Sequence, residues 1–385
     1  MWKVLVLALI GLLVVVFGFS LIDVTNGVGD VDADAVLIEL EDDITGFARA
    51  IEPYAWAFPR DHGAHPEFQT EWWYYTGNLA DESGRRFGFQ FTIFRRALTP
   101  ESYESHSEWR TNQVYLAHFT VSDIETGAFY HDERYARGGA GIAGATTDPR
   151  YRLWLENWEV VALNDDATQL AMRAGTEHMG IDFTLEQIKP PALQGDNGLS
   201  PKSDEPGNAS YYYSLSRLLA GGTITVNGEA HQVSGTAWMD HEFSTSALGS
   251  EALGWDWFSL QLDDNRELML GQIRMIGGGR EPAFGGLLIE QDGSTRYLSS
   301  NDFTIEATGS WTSPHTGATY PSGWEFAVDT GDETLNLTAT PLMDDQELQT
   351  DISIYWEGAI RIAGDATGYG YAELTGYANE MTGRF

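Results

Sequence analysis

The stretch RFGFQFTIFR (residues 86–95) alternates with a period of two, so Phe87, Phe89, Phe91 and Ile93 share one face of an extended chain. A period of two over this length is a strand with one face against a core. Working outward, TEWWYYTGNL (70–79), VYLAHFTVSD (114–123), YRLWLENWEVVAL (151–163), QLAMRA (169–174) and MGIDFTLEQI (179–188) read as further strands. Strand patterns resume in YYYSLSRL (211–218) and GTITVNGEAHQVSGTAWMDHEF (222–243). Before them, the polar, Gly- and Pro-bearing segment 189–210 reads as a long loop over a barrel mouth.

A second series runs from GWDWFSLQL (254–262) to GYGYAELTGY (368–377), with hairpin turns at DDNRE, QDGST and TGDET. Two consecutive sets of antiparallel strands, with almost no helical pattern, predict two barrels or sandwiches. Closed barrels would remove exposed edges without covering helices. At 385 residues, 42% of them hydrophobic, the chain is long enough for two cores.

The formal charge is −35, and only Lys3, Lys189 and Lys202 are lysines. That balance argues against a nucleic-acid partner. A carboxylate-rich, Lys-poor surface suits high salt, where screening weakens self-repulsion; full stability in low-salt buffer would count against this reading. With no cysteine, disulfides and thiolate metal sites are excluded.

Lys3 precedes an apolar run from Val4 to Ile22, long for a signal peptide and just enough to span a bilayer. Residues 1–24 are therefore expected to be a signal anchor or signal peptide, the uncleaved anchor being favoured because FGFSLID offers no small-x-small cleavage site. The positive N-terminal side orients the remainder outward, to the periplasmic or extracytoplasmic face of the envelope. Residues 25–57 read as an acidic tether, 58–243 as a first domain and 244–385 as a second.

Several phrases together resemble the AttH-like family, which includes the bacterial carotenoid 1,2-hydratases: DHGAHPEFQTEWWYYTGNL (61–79), YLAHFTVSD (115–123), SYYYSLSRL (210–218), VSGTAWMDHEFS (233–244), GWDWFSLQL, and the terminal YWEGAIRI (355–362) with GYGYAELTGY. The resemblance spans about residues 58–385. It implies a mainly β protein of two tandem lipocalin-like antiparallel barrels with no organic cofactor. Its members include hydratases of long polyenes, enzymes acting on other unsaturated natural products, and envelope proteins found beside ABC transporter components. Fold does not select among these, so the site residues must.

Hydrating an electron-rich alkene requires a proton donor, a dry pocket tolerant of a carbocation, and a positioned water. Three phrases supply carboxylates among aromatics: Glu71 beside Trp72, Trp73, Tyr74 and Tyr75; Asp240, His241 and Glu242 between Trp238 and Phe243; and Asp256 between Trp255 and Trp257. Alternation puts Glu71, Trp73 and Tyr75 on one face, Trp238, Asp240 and Glu242 on another, and Asp256 with Phe258 on a third. One carboxylate per strand converging in a shared cavity is the expectation. His118, mid-strand among apolar residues, reads as a ligand contact or a satisfied core histidine. Asp61, His62 and His65 with Asp240, His241 and Glu242 offer metal donors, but no His-x-x-x-His spacing occurs and the resemblance implies no metal.

Three readings follow. In an enzyme, a cofactor-independent hydro-lyase, Asp240 or Asp256 donates the proton, His241 or Glu242 positions water, and Trp255, Trp257 and Tyr74 stabilise the cation. In a carrier of a hydrophobic small molecule or lipid, or an accessory of an ABC transporter, the same cavity lacks turnover. In a structural protein, the barrels are filled by their own aromatics.

Overall fold

The computed structural model describes residues 44–101, 106–245, 248–249 and 251–379. The expected anchor at 1–24 and the tether as far as residue 43 lie outside the described residues. The regular secondary structure described is almost wholly antiparallel sheet, most of it in two nearly closed barrels. The first runs in spatial order Ala128–Arg137, Gln113–Asp123, Arg86–Ala97, Thr70–Asp81, Glu229–Ser244, Ala209–Val226, Met179–Gln187, Gln169–Gly175, Trp158–Ala162, Arg152–Leu155 and Ala143–Thr146. The first strand in chain order, Thr70–Asp81, therefore pairs with the last, Glu229–Ser244. The remaining gap is stitched by Arg134, which donates to Glu156 Oε2 (3.2 Å), Asn157 Oδ1 (2.5 Å) and the Gly175 carbonyl (3.2 Å) and lies 4.0 Å over the Trp158 ring.

The second barrel repeats the scheme: Ala252–Leu262 pairs with the last strand, Gly368–Leu374, and Phe303–Ala307 and Thr295–Leu298 end the sheet on its two sides. The two interiors are filled with buried aromatic and aliphatic side chains. Trp73, Tyr75, Phe87, Phe89, Phe91 and Trp158 belong to the first core, and Phe258, Trp324, Phe326 and Trp356 to the second. At Gly77 a Cβ would stand 2.4 Å from the Phe89 ring, so glycine there lets that ring cross the neighbouring strand.

A third apolar cluster joins the barrels through their outer faces, with Tyr74, Tyr212 and Trp238 from the first against Trp257, Leu287 and Tyr371 from the second. The segment 189–210 departs from its sequence reading. It adds short strands Ala192–Leu193 and Leu199–Pro201 to the first sheet, and Lys189 reaches across to Glu267 Oε2 (2.8 Å) and the Glu290 carbonyl (2.8 Å) of the second. It clasps the two barrels rather than covering a mouth. Residues 44–57 also differ from a solvated tether: Ala50 is buried, Tyr54 packs edge-on against Phe243, and Trp56 donates to the Asn197 carbonyl (3.0 Å).

Candidate active site between the two barrels

Pleating decides which side chains meet. On Thr70–Asp81, Glu71, Trp73 and Tyr75 point into the first barrel, while Trp72 and Tyr74 point out. Register pairs Trp72 with Glu242 and Tyr74 with Asp240, and these four line a cleft of about 130 Å³ between the barrels. From the second barrel come Trp255, Trp257, Ile273, Glu373 and Tyr355. Phe284 completes a wall because Gly271 beneath it has no Cβ, which would stand 2.4 Å from the ring.

Asp240 is buried with three donors: Ser214 Oγ (2.5 Å) and Trp238 Nε1 (2.7 Å) on Oδ1, and the Tyr212 hydroxyl (2.9 Å) on Oδ2. Burial pushes its carboxyl up to about 7 despite these bonds, and the Glu242 charge adds to the rise. Glu373 is likewise raised to about 7, by burial first and then by the Asp240 and Glu242 charges, against one hydrogen bond from Trp255 Nε1 (3.0 Å) to Oε2. No arginine touches either group among the described residues. Glu242 is paired with Lys202 (2.8 Å), whose ammonium lies 4.7 Å over the Phe284 ring. Directly opposite Glu373 across the sheet is Glu357, wholly buried and held neutral, raised well above its usual range by burial and by the neighbouring carboxylate.

The remaining expected residues fall elsewhere. The shared convergence of Glu71, Asp240 and Asp256 does not form, because Glu71 and Asp256 occupy the inner faces of separate barrels. Glu71 is wholly buried at one end of the first barrel, accepting from Arg95 Nε (2.7 Å), His65 Nδ1 (2.8 Å) and His241 Nε2 (2.8 Å). Burial opposes its ionisation, yet Arg95 and then the two histidines hold it well below the usual range. His65, which burial alone would depress, is lifted to about 9 by Asp61 and Glu71. His241 is depressed by burial, and the Tyr213 hydroxyl lies between its Nδ1 (3.1 Å) and that of His62 (2.6 Å).

His241 therefore faces away from Asp240 and Glu242 and does not position water beside them. Trp73 and Tyr75 are core residues rather than ligand contacts. Trp238 stands behind the cleft wall, holding Asp240. Asp256 is satisfied by Arg274 Nε (3.1 Å), Gln272 Nε2 (2.8 Å) and the Tyr377 hydroxyl (3.0 Å) at the end of the second barrel, outside the cleft.

His118 does line the cleft. Of the donors considered for a metal, His65, Glu71 and His241 come within 4.8 Å of one another, but Glu71 is already balanced by Arg95. Asp240 and Glu242 lie on the opposite face. Sequence reading passed over Glu373, Glu357, Tyr212 and Lys202. Both glutamates have an aromatic within two residues, in YWEGAIRI and GYGYAELTGY, and a carboxylate beside aromatics is the signal that singled out Glu71.

The AttH-like family model matches residues 49–377. The chain belongs to the AttH-like family. A crystal structure of an AttH protein from Nitrosomonas europaea superposes with a TM-score of 0.77 at 36% identity, covering 86% of this chain and all of that one. Kievitone hydratase from Nectria haematococca superposes at 0.62 with 14% identity, covering 87% of this chain and 98% of that one, which establishes a shared fold. No curated protein sequence matches. Within the AttH-like frame, the tandem barrels and the cleft between their outer faces are what this chain offers for chemistry.

Proposed function

We propose that this AttH-like protein adds water across a C=C bond of an unsaturated hydrophobic ligand, without a cofactor, in the cleft between its barrels. The observation that carries the reading is the pair Asp240 and Glu373: two buried carboxyl groups in one aromatic cleft, coupled to each other, each poised near 7, neither touched by a guanidinium. Such a pair shares one proton around neutrality. Glu373, with one donor, is the better holder of the proton. Asp240, with three donors, is the better holder of the charge and keeps a free lone pair on Oδ2.

Glu373 gives its proton to one alkene carbon, forming the C–H bond, and the electron deficit appears on the other carbon. The faces of Trp72, Trp255 and Trp257 stabilise that cation through their quadrupoles. Water attacks it as Asp240 takes the water proton, so H and OH are added overall and the proton has passed from one carboxyl to the other. Return of that proton to Glu373 restores the starting state. Kievitone hydratase, by its name, hydrates its substrate on the same fold, which supports a reaction of this class.

The test uses the full-length chain purified at high salt. Bound lipid is extracted and identified by native mass spectrometry, then returned to the protein in ¹⁸O-labelled water. One labelled oxygen in the wild-type product, absent with Glu373→Gln, is the expected result. Binding without label incorporation would leave the carrier reading, including the ABC-transporter accessory role. An envelope location resting on residues 1–24 is part of this proposal, and protease shaving of whole cells checks it.

A further inference from the structure

Register lays the first-barrel wall of the cleft out as a ladder. Asp240, Tyr74, Thr92 and His118 are directly opposed on four neighbouring strands, Glu229–Ser244, Thr70–Asp81, Arg86–Ala97 and Gln113–Asp123. With strands about 4.8 Å apart, the two ends of this row are about 14 Å from each other. Asp240 stands at one end. At the other, His118 is buried, 2% exposed, and lines the same cleft.

Its Nδ1 is bonded to the Tyr355 hydroxyl (2.7 Å), while its Nε2 has no partner. Of the other polar groups along the row, Thr92 Oγ1 accepts from Gln90 and Asp240 is bonded on both oxygens, while the Tyr74 hydroxyl, one strand from Asp240, is also without a hydrogen-bond partner and leaves His118 Nε2 as the unpaired atom at the far end. Burial depresses His118 to about 3, so the imidazole is neutral across the physiological range. A neutral ring nitrogen left unpaired in an apolar wall is costly unless a ligand atom completes its hydrogen bond. The charges around the cleft narrow the ligand further. Among the described residues lining it, Asp240 and Glu242 carry negative charge against a single cation, Lys202, which is already paired, so a carboxylate or phosphate head would be repelled.

We propose that His118 Nε2 binds the oxygen function, hydroxyl or carbonyl, of an uncharged, extended unsaturated ligand whose reacting double bond lies about three strand-widths away beside Asp240 and Glu373. This specificity role rests on the proposed function for its cleft but not for its turnover. A linear isoprenoid alcohol of fifteen carbons has about the required length.

The test is a tryptophan-fluorescence titration of the full-length protein, since Trp72, Trp255 and Trp257 line the cleft. The probes are farnesol, the hydrocarbon farnesene, farnesoic acid and farnesylamine. His118→Leu is expected to weaken farnesol roughly tenfold while changing farnesene by less than about twofold, with His118→Gln between. Unchanged farnesene binding also reports that the variant is folded. Farnesoic acid is expected to bind most weakly to the wild type. The inference is overturned if His118→Leu lowers alcohol and hydrocarbon alike, if it lowers neither, or if the acid or the amine binds best. Binding with the expected pattern but without hydration would refute the proposed reaction and leave this recognition role standing. Failure of every probe to bind would remove both.

Discussion

Glu71 and Asp240 sit on the same pair of strands, both buried and both surrounded by aromatic rings, yet their protons behave in opposite ways. Glu71 faces inward, where the Arg95 guanidinium and two histidines hold it ionised. Asp240 faces outward into the cleft, where its donors are a hydroxyl, a phenol and an indole, all neutral, and its carboxyl rises to about 7. Burial is common to both. What separates them is the formal charge of the partner, because neutral donors recover only part of the lost solvation of a carboxylate, whereas a cation recovers more. Asp256 is the intermediate case: Arg274 touches it, and burial still keeps its carboxyl raised.

The largest effect expected from this contrast is on turnover. Glu373→Gln and Asp240→Asn should each lower hydration by about 10²–10⁴-fold, the usual span for removing a positioned acid or base. Glu71→Gln should act on stability instead. Label incorporation at saturating ligand, with urea denaturation run alongside, separates the two. Equal loss of turnover without loss of stability in Glu71→Gln would break the division between the two regions.

Arg95→Met removes the cation from a wholly buried carboxylate and should cost about 3–5 kcal/mol in urea unfolding.

The pH dependence of stability should run in opposite directions in the two regions. Asp240 and Glu373 have folded pKa values above their unfolded ones, so their contribution is fully present below about pH 4 and is lost as pH rises to about 7. Glu71 is depressed in the fold, so its contribution is present above its unfolded pKa and is lost as pH falls through its folded one. Unfolding free energies from urea titrations between pH 4 and 8 should therefore fall less steeply in Asp240→Asn/Glu373→Gln than in the wild type, by up to about a few kcal/mol overall. Parallel curves would show that the cleft carboxyls are not raised.

The smallest effect belongs to Arg274→Met, about 1–2 kcal/mol, because Asp256 can take up a proton when its cation is lost. A cost as large as that of Arg95→Met would remove the gradation.

The sequence by itself determined the β architecture and its division into two sets of antiparallel strands, since a period of two and the hairpin turns are local properties of the chain, while the choice of barrels over sandwiches came from the family resemblance. The same alternation correctly divided Glu71, Trp73 and Tyr75 from Trp72 and Tyr74. It could not say which of those faces was the inside of a barrel and which met the second barrel, because both faces are buried and both are aromatic. That assignment depends on the pairing of Thr70–Asp81 with Glu229–Ser244 and of Ala252–Leu262 with Gly368–Leu374, contacts between strands more than a hundred residues apart. Only tertiary structure therefore placed His241 behind the wall that Asp240 lines, gave Asp256 and Glu71 to separate barrel ends, and brought Glu373 across to Asp240. The charge of each carboxyl is set by the same long-range contacts, and solvation and hydrogen bonding act through space rather than along the chain.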